Sequence, residues 1–185
     1  MIEVRPLASL NPADLNRVVT GYSSNGKYEV TLSDSEDHFS IELRFVTIEQ
    51  PFVKKYGHFD EEAIRRFNSL LKEGYSFGAY DGDSLVGLAI AEARSWNRSL
   101  WVHEFHVSET HRRRGIGKRL MERVEEKARE SALRIIVCET QNTNATAIEV
   151  YRRLGFGIEG IDVSLYSNSD YPDGEIALFM KRRLG

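Results

Sequence analysis

The chain has 185 residues, 41% of them hydrophobic and 29% charged, and a formal net charge of −3. A length in the range of about 100–200 residues suits one compact domain with a sizeable core, and the slightly acidic balance sets aside a general nucleic-acid binder, which carries a strongly basic face. The start MIEVRPLASL lacks the apolar stretch of a secretion signal, no run of about 18 apolar residues occurs, and the single Cys138 excludes an intrachain disulfide, so a cytoplasmic protein with no membrane partner is expected.

In chain order, the residue pattern predicts a strand over 2–6, a helix over 12–22, a polar turn-rich gap over 23–27, and strands over 29–32 and 41–47. An extended stretch containing Pro51 leads to Asp60, a suitable cap for a helix over 61–72 that turns Ile64, Phe67, Leu70 and Leu71 inward and ends at Gly74. Strands follow over 76–81, 85–94 and 100–107, the first two joined by the turn Asp81-Gly82-Asp83-Ser84. Ile116, Leu120, Val124 and Ala128 then recur at helical spacing with charged residues between them, which marks an amphipathic helix. A strand over 134–140, a helix over 145–154 and a hairpin of 158–166 with 175–181 complete a mixed α+β order. Cys138 falls in the strand and reads as a small buried hydrophobe rather than a nucleophile.

The most informative run is Arg112-Arg113-Arg114-Gly115-Ile116-Gly117, between a strand and the amphipathic helix. A helix start leaves about four backbone N–H groups without intrahelical partners, and with the helix dipole they favour an anion. Glycines let a ligand approach the backbone, and arginines supply fork-shaped donors for phosphate oxygens. The alternative is a basic, solvated helix start. The run is neither G-x-x-x-x-G-K-[ST] nor G-x-G-x-x-G, which argues against a nucleotide triphosphatase or a nicotinamide dehydrogenase. Five histidines include no H-E-x-x-H and no zinc spacing, so no metal is expected.

VSETHRRRGIG resembles the acetyl-CoA pyrophosphate loop of the GNAT superfamily of N-acetyltransferases, Gln/Arg-x-x-Gly-x-Gly/Ala, with Arg112, Gly115 and Gly117 at the fixed positions. Asn144, Ala147, Tyr151, Gly155 and Phe156 are similar to the superfamily's second acetyl-CoA segment. The resemblance is firm over about residues 75–182. It implies one acetyltransferase domain over 1–185, with a mixed, mainly antiparallel twisted central sheet, flanked by helices and splayed at the acetyl-CoA site. Ser95-Trp96-Asn97 and the tail IDVSLYSNSDYPDGEIALFMKRRL further resemble the streptothricin acetyltransferase branch, which implies a cationic amine acceptor. That branch often has an acidic residue where His103 stands, so acceptor-side chemistry is a point of departure.

Acetyl transfer from a thioester to an amine requires an anchored co-substrate, a neutral amine, a donor for the developing oxyanion and a proton for the leaving thiolate. The resemblance assigns acetyl-CoA contacts to Phe105, His106 and Val107 on the strand, to Arg112, Arg113, Arg114, Gly115, Ile116, Gly117 and Lys118 in the loop and helix start, and to Asn144 and Tyr151. Val107 or its neighbour would supply the oxyanion N–H. Asn144 also suits an N-cap, a role compatible with co-substrate contact. Tyr151 is the candidate general acid, its phenol being able to protonate a less basic thiolate; the competing role is a core aromatic. Strict strand alternation puts Val102, Glu104 and His106 on one face and Trp101, His103, Phe105 and Val107 on the other. Glu104 is the first candidate base and Glu92, which shares a face with Leu88 and Ile90, the second; each would otherwise be a surface charge in an ion pair. Trp96 and Asn97 either line the acceptor pocket or close a turn. Acidic residues at Asp34, Glu36 and Asp37, and at Asp162, Asp170, Asp173 and Glu175, either rim the site and attract a cation or lie in solvated loops. The expected partner is a small-molecule amine, met by a monomer or homodimer; peptide N-terminal acetylation and non-catalytic acyl-CoA binding are the rival readings.

Overall fold

A computed structural model describes residues 1–185 and resolves them into two compact units, Met1–Thr20 with Lys55–Cys138 and Arg182–Gly185, and Gly21–Lys54 with Glu139–Lys181. No helix is long and apolar enough to cross a membrane.

In the first unit, β1 (Ile2–Pro6), β4 (Phe77–Asp81), β5 (Ser84–Arg94) and β6 (Ser99–Val107) pair in that order, each antiparallel to the next. The N-terminal part of β7 (Ile135–Gln141) adds to β6 in parallel, from Ser99 opposite Ile135 to Val102 opposite Cys138. One face of β5 carries Leu88 and Ile90 into a cluster with Leu15 and Val18 of α1 (Pro12–Val18) and Ile64, Phe67 and Leu71 of α2 (Glu61–Leu71). Both helices are capped by a side chain, α2 at the predicted Asp60 and α1 at Asn11. Asn11 Oδ1 accepts the Asp14 N–H, and Asp60 Oδ1 accepts the Ala63 N–H at 2.8 Å. The opposite face receives α3 (Ile116–Glu130), which buries Ile116, Leu120, Val124 and Ala128 as the spacing predicts. Gly87 permits that approach, since a Cβ there would lie 3.1 Å from the His106 carbonyl and 3.3–3.4 Å from Leu120 and Ile116.

The second unit holds α4 (Ala145–Arg153), the antiparallel pair β8 (Gly157–Asp162) and β9 (Ala177–Arg183) up to Lys181, and a two-stranded ribbon of β2 (Gly21–Ser35) and β3 (His38–Lys55) up to Lys54. The ribbon corrects the sequence reading. Residues 23–27, expected to form a gap, lie in β2, and both strands run far past the predicted segments. Their mostly half-exposed or exposed residues give no clean inside–outside alternation, the signal by which a strand is read. The helix predicted over 12–22 stops at Val18, where β2 begins three residues later at Gly21 with φ 122°.

Candidate active site

The loop after β6 is built to leave donors unspent. Asn11, Asp60 and Asn144 each cap their helix with a side-chain oxygen, but α3 starts on Gly115, which has no side chain to offer, and its N-terminus receives no side-chain cap. The first intrahelical bond is Arg119 N–H to the Gly115 carbonyl, at 3.1 Å, so the N–H groups of Ile116, Gly117 and Lys118 point out of the helix end. Gly115 has φ 75° and open space where a Cβ would stand, and Arg113 also adopts a left-handed φ of 61°. Two left-handed residues this close curl the backbone into a concavity of N–H groups suited to an anion.

The arginines divide their work. Arg112 Nε donates to the Val107 carbonyl at 3.1 Å and braces the loop against the strand end, while Arg113 and Arg114 are exposed. Ile116 is buried, so only its backbone faces the concavity. Lys118 Nζ lies 3.7 Å from Glu122 along the helix surface. Gly117 sits on the strand end, with a Cβ there 3.4 Å from the Phe105 ring and 3.9 Å from Val107.

The register of β6 decides which of its amides reach the sheet edge. Ser108 N–H donates to the Val86 carbonyl, and Gly87 lies opposite Val107. In an antiparallel pair hydrogen-bonded and non-hydrogen-bonded positions alternate. Phe105 and Val107 therefore turn their backbone N–H and C=O away from β5, toward the edge that β7 joins, and His106 turns its own toward β5. Of the N–H groups considered for the oxyanion, that of Val107 lies on this edge and that of His106 does not.

A bulge overturns the strict alternation assumed for β6. Ile90 lies opposite Glu104 but Ala91 lies opposite Val102, which leaves His103 as an extra residue. Beyond the bulge the faces exchange, so Trp101 joins the Glu104 face and Val102 leaves it. Arg94 accordingly stacks on the Trp101 ring at 3.8 Å, and Trp101 Nε1 donates to Ser99 Oγ at 3.2 Å. The bulge also brings His103 to Glu92, Nε2 to Oε2 at 2.8 Å, beside Glu104 and His106, which meet Nε2 to Oε2 at 2.8 Å. One sheet face thus holds two carboxylate–imidazole pairs. Nothing in the sequence flags the bulge, because polar residues occupy both phases of the strand.

Trp96 and Asn97 lie at the opposite end of β6 from the loop, about 26 Å away at about 3.3 Å per residue. Asn97 closes a turn, its Oδ1 accepting the Ser99 N–H and hydroxyl at 3.2 and 2.7 Å, and Trp96 is 83% exposed. No hydrogen bond or ring contact joins them to the carboxylate–imidazole pairs.

In the second unit Asn144 caps α4, its Oδ1 accepting the Ala147 N–H at 3.0 Å. Since no buried side-chain nitrogen or oxygen of the molecule lacks a partner, the Asn144 Nδ2, which has none, reaches the surface. Tyr151 lies mostly buried on α4, its ring 5.7 Å from that of Phe156. Sequence reasoning missed Asn142, whose backbone and side chain both clasp Tyr28 and Ile176 through four hydrogen bonds of 2.8–2.9 Å. It also missed the bonds around Glu175. Thr143 and Tyr22 hydroxyls donate to Oε1 at 2.8 and 3.0 Å, and Lys54 pairs with Oε2. Burial pushes this carboxyl up, but the hydrogen bonds from Lys54, Thr143 and Tyr22 outweigh it and hold the group below its usual range. Asp170 is buried as a loop brace, accepting the Tyr166 N–H at 2.7 Å and the Ser167 hydroxyl at 2.6 Å. Asp34, Glu36 and Asp37 are exposed at the ribbon tip.

A profile of the acetyltransferase (GNAT) family matches residues 42–156. The chain belongs to this family. It is an acetyl-CoA-dependent N-acetyltransferase, as the uncapped α3 and the turned-out Val107 suit. A streptothricin acetyltransferase of Streptomyces lavendulae is 35% identical over 142 residues, 75% of this chain and 74% of the relative. The crystal structure of a nourseothricin acetyltransferase is 29% identical and superposes with a TM-score of 0.75 over 100% of this chain and 99% of its own. A Bacillus anthracis protein solved in complex with acetyl coenzyme A shares the fold, at 22% identity and a TM-score of 0.75, over 99% of both chains.

The residues fit acetyl-CoA. A diphosphate matches the open N–H concavity flanked by Arg113 and Arg114, and an acceptor group on the thioester arm matches the edge-facing N–H of Val107.

Proposed function

We propose that the enzyme acetylates a primary amine of a small cationic acceptor of the streptothricin kind, by direct attack on acetyl-CoA, with residues 1–185 acting as one domain. The reading places it in the cytoplasm. Acetyl-CoA supplies the activated acetyl group. The backbone of Ile116, Gly117 and Lys118 holds the diphosphate, with Arg113 and Arg114 adding charge and Arg112 keeping the loop on β6. Val107 N–H faces the thioester oxygen. Asn144 contributes its Nδ2, and Tyr151 gives the proton that the thiolate needs; both assignments rest on the family segment N-x-x-A-x-x-x-Y.

The observation that carries the acceptor class is the pairing of Glu92 and Glu104 with imidazoles on one face, with both carboxylates partly accessible at 34% and 19%. Such a face attracts a cation and offers it a proton acceptor. A lysine-type amine has a reference pKa of about 10.4, so it must lose a proton before it attacks. The similarity to a streptothricin acetyltransferase favours the same acceptor. Following free thiol with streptothricin, simple diamines and peptides tests the proposal. Turnover on the small amines is expected; turnover on peptides alone would replace this reading by N-terminal acetylation, and tight acetyl-CoA binding without thiol release on any acceptor would replace it by a binding module.

A further inference from the structure

We infer that His106, held by Glu104, is the group that takes the proton from the acceptor amine. The inference rests on the amine-acetylating reading above and sharpens it, because the sequence alone pointed to the carboxylates themselves as bases.

Three observations on one strand carry it. The Glu104 carboxylate meets Nε2 of His106 at 2.8 Å. A carboxylate only accepts, so Nε2 carries the hydrogen of this bond and the lone pair of the neutral ring lies on Nδ1. Second, Nδ1 has no protein partner, and no buried side-chain nitrogen or oxygen in the molecule lacks one, so Nδ1 reaches solvent although the side chain is only 19% exposed. Third, the ring is fixed from the side. Tyr56 meets it edge-on at 5.9 Å between centroids and 85° between planes, and Leu88 lies opposite on β5. Glu104 and Tyr56 are titratable groups that meet the ring, and Leu88 brings no charge. An oriented imidazole with its basic nitrogen outward is the usual arrangement of a general base. It stands next to Val107, whose N–H faces the sheet edge.

Glu92 with His103 has the same chemistry but lies on the far side of the bulge from Val107, and its carboxylate is the more exposed, at 34% against 19% for Glu104. The pair nearer Val107 is the one assigned.

The step balances. His106 Nδ1 takes one proton from R–NH3+, and the freed lone pair forms the C–N bond as the C–S bond breaks. The thiolate takes the Tyr151 proton, and the second amine proton returns to the Tyr151 oxygen. His106 then releases its proton to water, leaving one amide, one free thiol and one H+.

The test joins a spectroscopic and a kinetic readout. In nitrogen-resolved imidazole NMR of the free protein, His106 should show the Nε2–H tautomer, and E104Q should lose that preference. H106A should lower kcat about 100-fold, keep acetyl-CoA affinity within about twofold by calorimetry, and regain part of its rate with added imidazole; H106Q should repeat the loss with unchanged melting. A wild-type kcat in H106A or H106Q, on an amine that the wild type acetylates, would overturn the assignment alone, as would an Nδ1–H tautomer. Failure of the wild type to release thiol with any small amine would overturn the underlying reading and the assignment with it.

Discussion

The starts of α3 and α4 carry the two family segments and are built in opposite ways. At α4, Asn142 spends its backbone and side chain on Tyr28 and Ile176, Thr143 bonds Glu175, and Asn144 closes the helix end. At α3, no side chain caps the helix, the N-cap is a left-handed glycine, and open space lies beyond it. The difference separates two tasks that a helix start can serve. Satisfied donors fix a helix in place; unsatisfied donors beside exposed arginines recognise an anion.

Perturbing each start should therefore give different readouts. The largest effect is expected at Tyr151, farther along α4, where Tyr151→Phe should lower kcat about 100-fold or more and leave acetyl-CoA affinity nearly unchanged. Equal loss of affinity and rate would make the phenol part of the binding surface instead. Gly115→Glu puts a strained left-handed side chain and a negative charge at the α3 start, so acetyl-CoA affinity by calorimetry should fall about 50-fold, with the strain lowering melting by about 2–4 °C. Asn142→Ala should do the reverse. It leaves the half-buried Tyr28 carbonyl and the buried Ile176 N–H without their Asn142 side-chain partners, costing about 2 kcal/mol in denaturant unfolding. Arg113→Ala, at an exposed contact, should weaken acetyl-CoA binding about fivefold, and a loss that does not shrink with added salt would contradict an electrostatic role.

The smallest effect concerns Glu175. Its folded-state pKa is lowered, by hydrogen bonds that outweigh burial. Its contribution to stability is thus present above the ordinary carboxylate range and lost as pH falls through that range toward the folded-state value. Melting temperature followed downward from pH 7 should fall more steeply below about pH 4.5 in the wild type than in Glu175→Gln. Parallel curves would detach the network from stability.

What the sequence revealed follows from how local each signal is. Asp60 three residues before Ala63, the spacing of Ile116, Leu120, Val124 and Ala128, and Arg112 to Gly117 are contiguous patterns, and the structure realises them as the α2 cap, the buried face of α3 and the open loop. The ribbon was hidden because β2 and β3 lie largely exposed. Gly26, which reads as a turn, sits under the Phe45 ring, where a Cβ would come within 2.6 Å. The His103 bulge depends on pairing with β5, and the partners of Asn142 lie 114 and 34 residues away in the chain, so no window of sequence contains them.

The claim on which the rest stands is that the open end of α3 holds the co-substrate's diphosphate. A crystal structure with coenzyme A tests it directly. The account predicts diphosphate oxygens on the N–H groups of Ile116, Gly117 and Lys118; a diphosphate bound at α4 or away from both helices, with that end of α3 facing only solvent, would contradict it.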